Sequence, residues 1–212
     1  YLRINDASSL SVTSGGFSLA TWVRPTTAAN FRVAAKATQE GSLEWLLTYT
    51  ATGQIQFRVW DAIQTKWIDI KSTGTFLGDT GTWTCLAATY DGTGAAGLKL
   101  YRNGVLLAGT VTSSGTFVSI KDTSADLTLG VYLRDWSGAT SYGLGSFDAF
   151  RMYARALSGV EMTSIFSGGR SAARDVISNT GLQAFLDMDF RSPAWTALAA
   201  PAANASTYSD TT

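Results

Sequence analysis

Apolar and polar residues alternate along most of the chain in short runs, which Gly, Asp, Asn, Ser and Thr separate. An alternation of period two is typical of strands with one buried face. The turn residues recur every ~8–12 positions, as in antiparallel sandwiches and barrels. Helical segments do not alternate with the strands, which argues against a parallel α/β fold. The pattern predicts strands at 1–5, 17–24, 32–37, 43–50, 54–60, 66–71, 83–90, 97–102, 105–111, 116–120, 126–132 and 145–153.

Two tight turns mark the middle of the chain. The run 83–90 is apolar on both faces, which predicts a strand buried within a sandwich, and Asp91-Gly92 ends it. Asn103-Gly104 then separates two further apolar runs. Both of these residues tolerate positive φ, so the sequence predicts a two-residue hairpin turn here. The single cysteine, Cys85, lies on the apolar run and is predicted to be a buried, inert thiol.

One helix is predicted, near residues 159–167. Ser158 is followed three residues later by Glu161, which is the spacing of a capping box. Apolar residues that can form one side of this helix are Leu157, Met162, Ile165 and Phe166. Gly168-Gly169 is expected to end it.

The C-terminal part of the chain divides at about residue 190. Residues 181–190 alternate and predict one more strand, which either completes the sandwich or begins another module. Residues 191–212 are rich in Ala, Ser and Thr and are predicted to be a tail or arm whose order comes from a neighbour. We therefore expect one domain over 1–190. Because the chain begins within an alternating run, we interpret it as part of a longer protein.

A block at 145–158 reads Gly-Ser-Phe-Asp-Ala-Phe-Arg-Met-Tyr-Ala-Arg-Ala-Leu-Ser. Together with the Trp-bearing strand that ends in Tyr90-Asp91-Gly92 and the hairpin Tyr101–Gly104, it resembles the laminin-G-like, concanavalin-A-like jelly-roll domains over residues 1 to about 166. The resemblance implies an all-β fold, an antiparallel two-sheet jelly-roll sandwich. Such sandwiches serve as lectins, adhesion modules, enzyme accessory domains and virion parts, so function has to be argued from the site.

Composition narrows the chemistry. The 16 Lys and Arg residues balance 16 Asp and Glu residues, so we expect no nucleic acid partner. Apolar runs are too short for a bilayer, so we expect no membrane insertion. The chain contains no His, which removes Ser-His, Cys-His and His-metal chemistry together.

Pairs of carboxylates do not suggest a glycosidase either. Such an enzyme needs two carboxyl groups at ~5–9.5 Å across the scissile bond. The Glu-x-Asp-x-x-Glu pattern of the jelly-roll glucanases is missing. Asp187 and Asp189 share one strand face without a third carboxylate, and Glu40 and Glu44 flank a Gly-Ser turn. We therefore predict that the chain is not an enzyme, against the alternative of a hydrolase with an unrecognised site.

The resemblance implies a structural calcium ion at the sandwich rim. Asp148 falls on the Asp of the family's Gly-x-x-Asp block, and Asp6 ends the first strand. We expect the two to approach each other because first and last strands are often neighbours in this fold. Ala149 departs from the family, in which an acidic residue often follows. The alternative is that Asp148 caps a turn or binds backbone amides.

A candidate ligand surface follows from the alternation in two strands. If Ile55, Phe57 and Val59 enter the core, the residues between them lie on the opposite face of the sheet. The outward-facing residues of the next strand share that face. The predicted ligand-binding residues are Gln56, Arg58, Trp60, Trp67 and Asp69, with Trp136 and Tyr142 of a Gly-rich loop as a rim. Aromatic rings beside hydrogen-bonding groups suit sugars.

Buried packing of Trp60 and Trp67, under a loop or against a partner chain, is the alternative to a ligand face. Three other tryptophans are predicted to lie in the core, namely Trp22, Trp45 and Trp83.

Two functions are compatible with these observations. The first is a noncatalytic carbohydrate-binding or adhesion module of a larger secreted or particle-surface protein, whose partner is a glycan or a surface protein. The alternative is a structural virion component, such as a phage decoration or fibre protein, or another extracellular assembly subunit that contacts neighbouring subunits through residues 193–208. Both place the chain outside the cell, at a cell surface or at a virion surface.

Overall fold

Antiparallel strands form most of the regular secondary structure of the protein. A computed structural model describes residues 1–12, 14–37, 43–62, 66–132, 141–171 and 176–188. The strands in chain order are β1 (Leu2–Ile4), β2 (Phe17–Pro25), β3 (Arg32–Ala37), β4 (Leu43–Tyr49), β5 (Ile55–Trp60), β6 (Trp67–Ser72), β7 (Thr84–Tyr90), β8 (Leu98–Arg102), β9 (Val105–Leu106), β10 (Gly109–Ser113), β11 (Leu127–Leu129), β12 (Val131–Tyr132), β13 (Ser141–Tyr142), β14 (Gly145–Tyr153) and β15 (Leu182–Leu186). One α-helix, α1 (Gly159–Ser167), and three 3₁₀ turns at Ser8–Leu10, Leu77–Asp79 and Ala95–Gly97 accompany them.

The strands form two large sheets and one small one. The seven-stranded sheet has the order β1-β11-β3-β4-β5-β6-β10, and the six-stranded sheet has the order β15-β14-β2-β7-β8-β9. Strands β12 and β13 pair separately. The inner faces of the two large sheets share one apolar core, which contains Phe17, Trp45 and Phe57 among its fully buried side chains. This is the predicted all-β, two-sheet sandwich, and the prediction is confirmed.

Most predicted strands are present, with three corrections. The run 105–111 divides into β9 and β10, and the run 126–132 divides into β11 and β12; in both cases the two parts belong to different sheets. The strand predicted at 116–120 is wrong, because only Ile120 makes a β-bridge there, to Asp61. The Asp61 carboxylate accepts hydrogen bonds from the backbone amides of Val118 and Ser119, so these amides bond to a side chain rather than to a neighbouring strand.

The expected pairing of the first and last strands is also wrong. Strand β1 pairs with β11 in the seven-stranded sheet, whereas β14 pairs with β2 and β15 in the six-stranded sheet. Strand β15 thus belongs to this sandwich, the first of the two alternatives for residues 181–190. The predicted tail, 191–212, lies outside the described residues.

The predicted turn and helix are confirmed, and they pack against each other. Asn103 and Gly104 both have positive φ, at 52° and 74°, as a two-residue hairpin requires. A side chain at Gly104 would lie 3.0 Å from Thr163 Cα and 3.1 Å from Phe166 Cβ, so glycine allows α1 to approach the turn. The helix covers a second apolar cluster on the outer face of the six-stranded sheet.

The tryptophans predicted to be core residues divide between these two clusters. Trp45 lies in the main core, with 1% of its surface exposed. Trp22 is buried under α1, where its ring stacks on Phe166 at 5.6 Å between centroids. Trp83 is only half-buried at the margin of the same cluster. The position of Trp83 one residue before β7 begins explains why it leaves the buried strand.

The capping box of α1 gives a stability prediction. Glu161 accepts a hydrogen bond from Arg155 at 2.6 Å and a weaker one from the Ser158 amide, which together lower the pKa of its carboxyl group to about 2 from 4.5. A lowered pKa stabilises the fold above pH 4.5, and this contribution is lost as the pH falls to about 2. We expect Glu161→Gln to cost about 1 kcal/mol of unfolding free energy at pH 7.

Urea unfolding of both proteins at pH 7 and at steps down to pH 2 measures this difference. The gap between wild type and variant should close over that range. An equal gap at every pH would show that the charge of Glu161 contributes nothing.

Candidate functional site

The hairpin formed by β5 and β6 defines the candidate surface. In its register Trp60 lies opposite Trp67, Arg58 opposite Asp69, and Gln56 opposite Lys71. The residues between them, Ile55, Phe57, Val59, Ile68 and Ile70, are buried in the core, as the alternation predicts. We call the six side chains on the other side, Gln56, Arg58, Trp60, Trp67, Asp69 and Lys71, the β5–β6 outer face.

A buried carboxylate organises this face. Asp69 Oδ2 accepts from Gln56 Nε2 at 2.5 Å and from Arg58 Nη2 at 2.6 Å. Its other oxygen, Oδ1, accepts from the hydroxyl of Thr112 in β10. Asp69 is fully buried, so these donors replace the water that the carboxylate has lost. Both of its oxygens are therefore occupied by groups of the protein itself.

Arg58 lies against the two tryptophans. Its guanidinium carbon is 4.0 Å from the centroid of the Trp67 ring and 5.7 Å from that of Trp60. A guanidinium at these distances is attracted to the electron-rich face of an indole. The side chain of Arg58 keeps 26% of its surface exposed. Arg58 thus forms the accessible centre of the face, with aromatic rings beside it.

The two tryptophans differ in accessibility. Trp60 is 7% exposed and packs in a small cluster with Ala35, Ala37 and Leu46. Trp67 is half-buried at the edge of the same cluster. The alternative of buried packing therefore describes Trp60, whereas Trp67 offers part of its surface to solvent.

Neighbouring strands extend the polar part of the face. Arg32, Thr48, Gln56, Lys71 and Thr110 lie opposite one another on five successive strands. At one end of this row Arg32 Nη1 donates to Thr48 Oγ1 at 2.9 Å. Lys71 has no ion pair or side-chain hydrogen bond with any described residue. The row adds cationic donors beside Arg58.

The role of the two predicted rim residues stays a prediction. Trp136 lies outside the described residues. The backbone of Tyr142 belongs to β13, which pairs with β12 in the small separate sheet, with Val131 opposite Tyr142.

The predicted calcium ligand Asp6 contacts a lysine. Lys36 Nζ, fully buried, lies 2.9 Å from Asp6 Oδ1 and 2.5 Å from Glu44 Oε1. It also lies 3.2 Å from the carbonyl oxygen of Thr123 and 3.5 Å from Ser11 Oγ. Burial raises the pKa of Glu44, and the hydrogen bond from Lys36 opposes that rise. The ammonium group occupies the centre of these oxygens, so the cluster does not fit a calcium ion.

The other predicted ligand, Asp148, lies on a different sheet. Its Oδ2 is 3.5 Å from Nη1 of Arg170, and burial raises the pKa of its carboxyl group. In the described part of the chain, no contact joins Asp148 to Asp6, and no three His, Cys, Asp or Glu side chains converge as metal ligands would. A calcium ion shared by Asp6 and Asp148 does not fit this geometry.

Comparison with known proteins assigns the sandwich to a family. The sequence model of the concanavalin A-like lectin/glucanases superfamily matches residues 1–162. The chain belongs to this superfamily. The match ends within α1, so β15 lies beyond it. No relative with a curated description matches the sequence.

Solved structures share the concanavalin A-like fold at low sequence identity. Domain 4 of AbnA, an extracellular arabinanase from Geobacillus stearothermophilus in complex with arabinotriose, is 23% identical, with a TM-score of 0.54 over 77% of this chain and 70% of that one. The CBM40 of Ruminococcus gnavus IT-sialidase, bound to α2,3-sialyllactose, is 15% identical, with a TM-score of 0.54 over 78% and 97%.

The binding domain of Paraclostridial Mosquitocidal Protein 1 is 17% identical, with a TM-score of 0.56 over 77% of this chain. This chain spans only 40% of the length of that domain. At such identities the similarities establish the fold alone.

Sequence reasoning missed two parts of this chemistry. Thr112 reaches Asp69 because β10 pairs with β6, a pairing between strands separated by three others in the chain. The sequence predicts that Glu44 flanks a turn without meeting another functional group, whereas Glu44 is buried against Lys36. Lys36 is the one charge within the apolar run Val33–Ala37, and a lone cation in a buried strand is a signal for a buried partner.

The Lys36 cluster gives a second stability prediction. Lys36→Met leaves the carboxylates of Glu44 and Asp6 without their counter-charge, which is expected to cost about 3–5 kcal/mol. The double variant Lys36→Met/Glu44→Gln removes both buried charges and should recover a large part of that loss. Equilibrium unfolding in urea measures the three proteins. A double variant no more stable than the single one would contradict the role of the ion pair.

Proposed function

We propose that the protein is a noncatalytic carbohydrate-binding module and that it binds glycans on the β5–β6 outer face. The observation that carries the proposal is the arrangement of Arg58 against Trp67, with a half-buried indole and a partly exposed guanidinium side by side. Sugars present apolar C–H faces together with polar oxygens, and this pair offers a contact for each. Two structural neighbours solved with sugars, one with arabinotriose and one with sialyllactose, support the class of ligand.

The same surface supports a binding role rather than a catalytic one. Asp69 is the only carboxylate among the six residues of the face, and both of its oxygens accept hydrogen bonds from the protein. A general acid or base needs an oxygen that can reach the substrate. The chain also lacks His throughout. These observations favour recognition of a glycan without cleavage of its bonds.

We further infer that the module acts outside the cell. One structural neighbour belongs to an extracellular arabinanase. In the described ranges, no helix has the length and hydropathy to cross a lipid bilayer. A role in subunit assembly through residues 193–208 stays a prediction from the sequence, because these residues lie outside the described ones.

A glycan array with the purified chain tests the proposal. Trp67→Ala and Arg58→Ala should each weaken binding to the best glycan about tenfold, since each ~1.4 kcal/mol corresponds to a factor of ten. One aromatic contact contributes ~0.5–1.5 kcal/mol beyond area burial, and one hydrogen bond to a charged group contributes ~1.5–3 kcal/mol. Titration calorimetry measures the affinities.

Lys99→Ala is the matched control, because Lys99 is exposed on β8 of the six-stranded sheet. It should bind as the wild type does. The proposal fails if no glycan binds the wild type, or if the Trp67 and Arg58 variants bind as tightly as the Lys99 control.

A further inference from the structure

The β5–β6 outer face offers many hydrogen-bond donors and few acceptors. Asp69 is its only anion, and its oxygens are used by Gln56, Arg58 and Thr112. Arg58 donates only to Asp69 among the described residues, through Nε and Nη2, so the Nη1 donors remain available. A guanidinium and an ammonium group carry donors and no acceptor. A ligand that reaches this face therefore meets mainly positively charged donors.

The cations are close enough to act together. Lys71 is two residues from Asp69 on β6, and Asp69 lies opposite Arg58, so Arg58 and Lys71 are diagonal neighbours. Such pairs are ~7–8 Å apart at the backbone, within reach of long side chains on one group. Arg32 lies on the same row as Lys71, three strands away. Arg58 and Lys71 thus lie near each other beside one carboxylate that is already paired, and Arg32 lies farther along the same row.

This pattern discriminates between classes of sugar. A neutral sugar hydroxyl both donates and accepts, so it is best held where donors and acceptors alternate. A carboxylate only accepts, and its hydrogen bonds to cations are about twice as strong as neutral ones. The whole chain is neutral, with 16 residues of each sign, so any preference for an anion has to come from the local arrangement of Arg58 and Lys71 rather than from net charge.

We propose that the β5–β6 outer face selects carboxylated glycans, such as uronate- or sialate-containing chains, and that Arg58 and Lys71 bind the carboxylate while Trp67 contacts the sugar ring. This inference rests on the proposed glycan-binding function and specifies its ligand. Trp67 lies on the same strand as Lys71, beyond Asp69, so ring and carboxylate contacts come from one strand.

Matched pairs of glycans that differ in charge test the inference. Polygalacturonate is compared with its methyl ester, and sialyllactose with lactose, by calorimetry at low and at 0.5 M salt. The acidic member of at least one pair should bind about tenfold more tightly or better at low salt, because its contacts are charged. Salt should reduce this preference. Which pair responds distinguishes a uronate from a sialate as the source of the carboxylate.

Lys71→Gln removes the unpaired cation without disturbing a described contact, and it should lower affinity for the acidic member about fivefold. Lys99→Gln, on the other sheet, should leave the preference unchanged. Equal affinity for the acidic and neutral members would overturn the inference while the glycan-binding function stands. Failure of all four probes would also overturn it, and the glycan array would then decide separately whether any neutral sugar binds.

Discussion

The candidate surface depends on the buried carboxylate of Asp69. It receives hydrogen bonds from two neighbouring strands, through Gln56 and Arg58 of β5 and Thr112 of β10. These bonds hold the guanidinium of Arg58 over the Trp67 ring at 4.0 Å. They also use both oxygens of the only carboxylate on the face, so the charged groups left for a ligand are the donors of Arg58 and Lys71. One buried charge thereby sets the position of the central side chain and the polarity of the surface around it.

The alternation of residues made both the fold and the main part of this surface predictable. Five apolar side chains of β5 and β6 enter the core, and because side chains alternate between faces, their neighbours must point outward together. The turn at Asn103-Gly104 and the capping box at Ser158 were equally predictable, since each depends only on residues adjacent in sequence. The family resemblance over residues 1 to about 166 supplied the two-sheet arrangement.

Pairings between distant segments were not predictable from these local patterns. The contact of Thr112 with Asp69 and the separation of Asp6 from Asp148 both follow from which strands become neighbours. Trp60 is buried because Leu46 of β4 and Ala35 of β3 pack in the same cluster. Near the predicted calcium ligand Asp6, the positive charge comes from the ammonium group of Lys36. A register shift between β3 and β4 places Glu44 beside the same ammonium group.

The central claim is that glycans bind the outer face of the seven-stranded sheet around Arg58 and Trp67. Nuclear magnetic resonance of the ¹⁵N-labelled protein tests it most directly, by following the indole N–H signals of the tryptophans during titration with sialyllactose and with oligogalacturonate. We expect the Trp67 signal and the Arg58 Nε–H signal to move, while Trp22 and Trp83 on the six-stranded sheet stay in place. Shifts at Trp22 or Trp83 with no change at Trp67 and Arg58 would contradict the account.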